Sequence, residues 1–316
     1  MNSDIQELVK DKLSIKSKNN TYTWTLKLNN SLNIGHLVPL FTLADVLKKS
    51  AFVKIFIDDF TDKPSEIMNR RSVLMKDILL NFFKKMECNT ELISFCCTSE
   101  IRNNEEYVMD FYKMISVTTE SQVIKTIYNT SDNLKLYNYI EPILFINDLQ
   151  SVSKSNILIG ENKESFCELS KNVLNDIHKD ELSFISHPVI RDYKGNVMSK
   201  SNKNTSINIT DGNNNINNKI KKFFCEEGNL KTDIFDIYEF IIFPSYERKG
   251  EELVVEKRDN ISTTYKNIES LKEDFVMKQV HPGDLKDTCA KNVLRILDSL
   301  FDRSPEYLKK LNSAFN

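Results

Sequence analysis

Residues 22 to 28, YTWTLKL, alternate apolar Tyr22, Trp24, Leu26 and Leu28 with polar neighbours, the period of a half-buried strand. After Asn29-Asn30-Ser31 the period changes. Leu37, Leu40, Phe41, Ala44 and Leu47 recur at helical spacing. Pro39 has no N–H to donate and fits best in a first turn, so the helix starts near Gly35. AFVKIFIDDF (51–60) then reads as a buried strand, completing one β-α-β unit. The alternation continues with a helix from Pro64 to Met86, a strand at TELISFCC (90–97) and mostly helix from about 104 to 149. A strand at NILIG (156–160), a helix over ENKESFCELSKNVLNDIHK and a strand at ELSFISHPVI (181–190) follow. Strands separated by helices imply an α/β fold, a doubly wound, Rossmann-like parallel sheet with its ligands at the carboxyl edge of the strands.

Residues 191 to 218 are polar and asparagine-rich without apolar periodicity, and read as a flexible linker. Beyond them NKIKKFF, DIFDIYEFIIF, IESLKEDFVMK and DLKDTCAKNVLRILDSLF all look helical. The expected division is a catalytic α/β domain over 1–218 and a helical domain over 219–316.

The formal net charge of −2 over 316 residues gives no global basic field and no DNA partner. No apolar run approaches the ~20 residues a membrane span needs. The mixed-charge start MNSDIQELVKDKL is unlike a secretory signal, so a cytoplasmic protein is expected. Six cysteines without a C-x-x-C pair and only four histidines give no metal-ligand spacing. The seven glycines cannot be written as G-x-G-x-x-G or as a P-loop, so any nucleotide site here works without a glycine-rich phosphate loop.

Two short stretches carry chemistry. Asn33-Ile34-Gly35-His36 opens the helix after the first strand, and Val197-Met198-Ser199-Lys200-Ser201 follows the last strand. Taken singly, Asn33 reads as an ordinary helix cap and Ser199-Lys200-Ser201 as a solvated loop. Taken together they suit a phosphate site. A helix N-terminus presents N–H groups and about half a positive charge. Gly35 lets a ligand lie against the backbone, and His36 can donate to a ribose or phosphate oxygen.

The pair resembles the HIGH and KMSKS signatures of class I aminoacyl-tRNA synthetases. KKFFCEEGN (221–229), IIFP (241–244), TYKNIESLKEDF (264–275) and VHPGDLKDTCAKNVLRILDSL (280–300) resemble the archaeal and eukaryotic tyrosyl-tRNA synthetases. The resemblance implies a two-step ligase. Tyrosine and ATP, with Mg²⁺ on the phosphates, give tyrosyl-adenylate, and the tyrosyl group passes to tRNA(Tyr). It assigns Asn33, Gly35, His36 and Lys200 to catalysis, and Gly35, His36, Met198, Ser199, Lys200 and Ser201 to ATP. It assigns His281 and Asp284 to the tRNA anticodon; the residues by themselves read as a helix start, with Pro282 at an early position and Asp284 as a cap, and both can hold. The resemblance also implies a homodimer formed through a helical insertion near 104–140.

The amino-acid pocket departs from the family's Y-P-x-x-Q-x-x-D pattern. Here Glu141 stands for the tyrosine, Phe145 for the first glutamine and Lys163 for the second, three positions that hold the substrate ammonium group. Asp148, which would accept the phenol hydroxyl, is retained, and its tyrosine partner corresponds to Thr23 or, one residue earlier, Tyr22. An ammonium left without acceptors costs several kcal/mol; Glu141 offers a new carboxylate. Asn33 and Val197 replace the first histidine and first lysine of the signatures. Two readings follow, an active tyrosine–tRNA ligase and a catalytically silent paralogue that keeps fold, dimer and tRNA binding.

Overall fold

The alternating residues of YTWTLKL form a central strand because both of its sides are covered. The structure, a computed structural model, describes residues 20–29, 31–60, 64–128, 134–152, 154–199, 204–257 and 261–315. In chain order its main elements are β1 (Thr21–Lys27), α1 (Leu37–Lys48), β2 (Phe52–Asp58), α2 (Ser65–Lys85), β3 (Ile93–Cys97) and α3 (Glu105–Val117). There follow α4 (Leu136–Gln150), β4 (Asn156–Gly160), α5 (Glu164–Asp176), β5 (Ser183–His187) and α6 (Asn213–Lys221). The chain ends with β6 (Leu253–Glu256), β7 (Ser262–Tyr265), α7 (Ile268–Val276), α8 (Pro282–Leu300) and α9 (Pro305–Phe315).

These elements form two compact units. The first comprises Met1–Leu28, Thr42–Pro64 and Cys88–His187. Its five strands make one parallel sheet in the order β3-β2-β1-β4-β5, the expected doubly wound arrangement. Trp24 lies opposite both Ile55 of β2 and Leu158 of β4, so β1 is the centre of the sheet. Strand order reverses between β1 and β4, and the carboxyl end of that junction is where such sheets bind ligands. Met114 of α3, Ile143, Ile146 and Leu149 of α4 and Phe166 and Leu169 of α5 pack with Phe56, Ile157 and Ile159 of the sheet. Each such side chain withdrawn from water stabilises the unit by roughly 1.5–3 kcal/mol.

The second unit comprises Asn29–Phe41, Ser65–Glu87 and Pro188–Asn316. Ile216 and Ile220 of α6 are buried together with Leu285, Cys289 and Val293 of α8. The buried Tyr238 hydroxyl donates to the Leu285 carbonyl at 2.6 Å. Arg71 of α2 donates from Nε to the Ala314 carbonyl at 2.7 Å and from Nη1 to the Asn29 carbonyl at 3.2 Å.

The asparagine-rich tract differs from its expected reading as a flexible linker. Residues 213–221 are helical, and Ile207 and Ile209 are buried. The physical cause is visible once found: Ile207 and Ile209 alternate as in a strand, and Ile216 and Ile220 stand four apart on one helix face. The helical C-terminal segments are also interrupted by an antiparallel hairpin, in which Leu253 of β6 pairs with Tyr265 of β7.

Candidate active site

In the first unit the carboxyl edge of the sheet gathers charged side chains. Lys27 ends β1 and Asp58 ends β2, while Arg102 caps the short helical turn Thr98–Ile101 that leaves β3. Asp148 projects from α4 and is 2% exposed. Arg102 grips it as a fork, Nε to Oδ1 at 3.0 Å and Nη2 to Oδ2 at 2.6 Å. The Tyr107 hydroxyl of α3 donates to Oδ1 at 2.8 Å, and Asn147 holds the Tyr107 carbonyl at 2.9 Å. Burial lifts the Asp148 carboxyl above its ordinary value while Arg102 and Tyr107 pull it down. Every one of these neighbours donates, so no acceptor awaits an acid proton and Asp148 is a carboxylate. Burial also works against the Arg102 charge, and the bond and charge of Asp148 outweigh it.

The other predicted pocket residues belong to the same unit. Thr23 is fully buried, its hydroxyl 2.8 Å from that of Ser155, which donates to the Val152 carbonyl at 2.7 Å. Thr23 is therefore the donor to Ser155. Tyr22, beside it on β1, is buried, and burial pushes its phenol up. Glu141 of α4 forms an ion pair with Lys27. Phe145, one turn on, packs tilted against Phe166 with ring centroids 4.9 Å apart. Lys163 is exposed along its stem, yet its ammonium end reaches over the Phe145 ring at 5.4 Å. Burial and the charge of Lys27 hold the Lys163 amine below its usual range, with Glu141 opposing them.

The second unit holds the start of α1. Asn33 caps the 3₁₀ turn Ile34–His36 that leads into it: Asn33 Oδ1 accepts from Gly35 N–H at 3.0 Å, and Asn33 N–H donates to His36 Nδ1 at 3.1 Å. A Cβ on Gly35 would meet Asn33 Oδ1 at 3.1 Å and Met198 Cβ at 3.8 Å, so glycine keeps this cap intact. Asn33 Nδ2 is buried without a hydrogen-bond partner, an unspent donor at a helix start. The backbone of 207–209 pairs with this turn, Ile34 N–H to the Ile207 carbonyl at 2.9 Å and Ile209 N–H to the Leu32 carbonyl at 3.0 Å. The Ser206 hydroxyl donates to the Ser199 carbonyl at 2.9 Å and accepts from Ser199 N–H at 3.1 Å. Lys219 of α6 secures this strip from below, donating to the Ser206 carbonyl at 2.7 Å and to Asp211 Oδ2 at 2.6 Å. Met198 is buried beside Gly35, tied by its N–H to the Ile190 carbonyl. Helix-terminal N–H groups and an unspent amide at a helix start suit a nucleotide phosphate.

The family model for class I tRNA synthetases (W and Y) matches residues 30–298. The chain belongs to this family. The tyrosyl resemblance read from the sequence holds as well. A probable cytoplasmic tyrosine–tRNA ligase of Enterocytozoon bieneusi is 26% identical over 311 residues, 96% of this chain and 88% of that one. The fold matches the tyrosyl-tRNA synthetase of Aeropyrum pernix with a TM-score of 0.80 at 17% identity, covering 98% of this chain and 93% of the other. It matches that of Archaeoglobus fulgidus, solved with L-tyrosine, with a TM-score of 0.78 at 20% identity, covering 96% and 94%.

Within this synthetase the two sets of signature residues fall in different places. Tyr22, Thr23, Glu141, Phe145, Asp148 and Lys163 belong to the first unit, and Asn33, Gly35, His36, Met198 and Ser199 to the second. Lys200 and Ser201 lie outside the described residues. In α8 the expected cap is corrected: His281 itself caps the helix, Nδ1 accepting from Gly283 N–H at 2.9 Å, while Asp284 is buried in the first turn. A side-chain ring nitrogen two residues before the free N–H reaches it without the turn that Asp284 would need. Arg102, Tyr107 and Lys219 were not singled out by the sequence. Among the described residues no helix is long and apolar enough to cross a membrane, and no three His, Cys, Asp or Glu side chains are grouped to hold a metal ion.

Proposed function

We propose that the protein is a cytoplasmic tyrosine–tRNA ligase. It joins the tyrosine carboxylate to the α-phosphorus of ATP, releasing pyrophosphate, and then passes the tyrosyl group to the terminal ribose of tRNA(Tyr). The observation that carries this reading is the buried Asp148 carboxylate, held ionised by Arg102 and Tyr107 with one acceptor position to spare for a phenol hydroxyl. Gly35, His36 and the Asn33 amide would receive the nucleotide phosphates. Mg²⁺ enters with the nucleotide and, when bound, neutralises phosphate charge. The exposed His281, within a module of 219–316, would read the anticodon, with the buried Asp284 holding the first turn beside it. Aminoacylation of a tRNA(Tyr) transcript with labelled tyrosine tests the whole reaction. Charged tRNA is expected, and charging with another amino acid in preference to tyrosine would overturn the reading.

The ammonium end of the pocket is where this synthetase is weakest. Lys163 stands where an amide acceptor is expected, and a like charge costs on the order of 1 kcal/mol at 4 Å even when screened as in bulk water. Lys163→Gln is therefore expected to lower KM for tyrosine roughly fivefold and to leave KM for ATP unchanged, as read by steady-state exchange kinetics.

The homodimer belongs to the same proposal. Val108, Met109, Tyr112 and Ile115 form an apolar stripe along the outer face of α3, with Tyr112 61% exposed. Met109→Asp with Tyr112→Asp is expected to turn a dimer into a monomer in sedimentation velocity. A dimer that survives both changes would place the interface elsewhere.

A further inference from the structure

Next to Asp148 one acceptor and one donor stand unfilled, and a hydroxyl is the group complementary to such a pair. A carboxylate has about four lone-pair positions. Arg102 Nε and the Tyr107 hydroxyl take two on Oδ1, and Arg102 Nη2 takes one on Oδ2. One remains on Oδ2.

Arg102 has donors left over. Its Nε and Nη2 are committed to Asp148, the Phe60 ring covers its face at 5.2 Å, and Asp58 Oδ1 is 3.7 Å from Nη2, beyond hydrogen-bond length. Among the described residues no acceptor takes an Nη1 hydrogen. The guanidinium is nonetheless fixed, clamped by Asp148 on one edge and by Phe60 on its face, so its spare hydrogens have a defined direction. Thr23, one of the two positions that the resemblance pairs with Asp148, has already spent its hydroxyl proton on Ser155.

We propose that Arg102 is a specificity-determining residue: Asp148 accepts the proton of the substrate's phenol hydroxyl while Arg102 donates to that hydroxyl's oxygen. The proposal rests on the tyrosine reading above. It makes the site select a phenol against a bare aromatic ring. Phenylalanine would leave both the Asp148 lone pair and the Arg102 N–H without the hydroxyl that pairs them, beside a carboxylate that is 3% exposed. A site built to hydrogen-bond a hydroxyl rejects the analogue lacking it by roughly 10⁴-fold or more.

The test compares wild type, Arg102→Lys and Arg102→Gln in ATP–pyrophosphate exchange with tyrosine and with phenylalanine. Arg102→Lys keeps a positive charge beside Asp148 and so controls for folding, while neither lysine nor glutamine has the planar fork that fixes two N–H groups on Asp148 and aims a further one at the phenol oxygen. In both, kcat/KM for tyrosine is expected to fall at least tenfold and that for phenylalanine to hold, so the tyrosine-to-phenylalanine ratio narrows at least tenfold. KM for ATP should not move. Equal losses for the two amino acids, or an unchanged ratio, would overturn the proposal and leave Arg102 a structural counter-ion. Calorimetric titration with tyrosinol and phenylalaninol reads the same selection without turnover. Wild type that binds tyrosinol in preference but exchanges with no amino acid would end the ligase reading and leave Arg102 standing. Wild type that binds neither, or both alike, would end both.

Discussion

Arg102→Met is expected to destabilise the first unit by about 3–5 kcal/mol, because it leaves the Asp148 carboxylate buried and unpaired. The pair is nearly closed to water, with side-chain exposures of 15% for Arg102 and 3% for Asp148, so solvent cannot replace the lost fork. Urea unfolding at neutral pH reads the loss. Adding Asp148→Leu to Arg102→Met should recover most of it, since the charge that needed a partner is then gone as well. The deficit of the single variant also depends on pH. Burial already raises the Asp148 carboxyl above 3.8 with Arg102 opposing, and losing Arg102 lifts it further. A carboxyl raised in the folded state adds stability in acid that is lost as pH climbs through its folded value. The single variant should therefore approach wild type in acid and fall behind it as pH rises above about 4. A deficit below 1 kcal/mol at neutral pH would show that Asp148 finds another partner.

Lys200→Ala is expected to slow adenylate formation by roughly 3 kcal/mol, about a hundredfold, the effect of losing one donor at a developing charge. Lys200 itself lies outside the described residues, but the residue before it does not. Ser199 is stapled by Ser206 beside the paired strip that carries Ile207 against Ile34, in the same unit as Gly35 and His36. Single-turnover pyrophosphate exchange separates this step from tRNA charging. A variant that exchanges at the wild-type rate would remove Lys200 from the mechanism.

The sheet was legible because its signal is local. YTWTLKL alternates with period two, NILIG is a continuous apolar run, and the helices between them show their stripes, so five parallel strands could be read in order. The start of α1 was legible for the same reason, Asn33 and Gly35 being neighbours in sequence. The Asp148 network was not. Its partners stand 46 and 41 residues away at Arg102 and Tyr107, in a stretch whose only sequence signal was helical. Neither an arginine nor a tyrosine in that pattern announces a buried carboxylate. The strip at 207–209 was missed because asparagines surround its two isoleucines, and composition over that window hid an alternation only three residues long. His281 as a cap was also hidden, since aspartate is the commoner choice at a helix start and one stood three residues later.

The departures at Glu141, Phe145 and Lys163 form a coherent set. Glu141 pairs with Lys27, Phe145 packs into the core against Phe166, and Lys163 covers it. In the proposed tyrosine pocket the ammonium end thus carries charges, Glu141 with Lys27 and Lys163, and the phenol end pairs the Asp148 carboxylate with the Arg102 guanidinium. Tyrosine activation therefore depends on whether these two ends still accept one amino acid. ATP–pyrophosphate exchange with each proteinogenic amino acid in turn tests this most directly. The account predicts exchange that depends on tyrosine and exceeds that with phenylalanine by orders of magnitude; exchange driven by a different amino acid, or none with tyrosine, would contradict it.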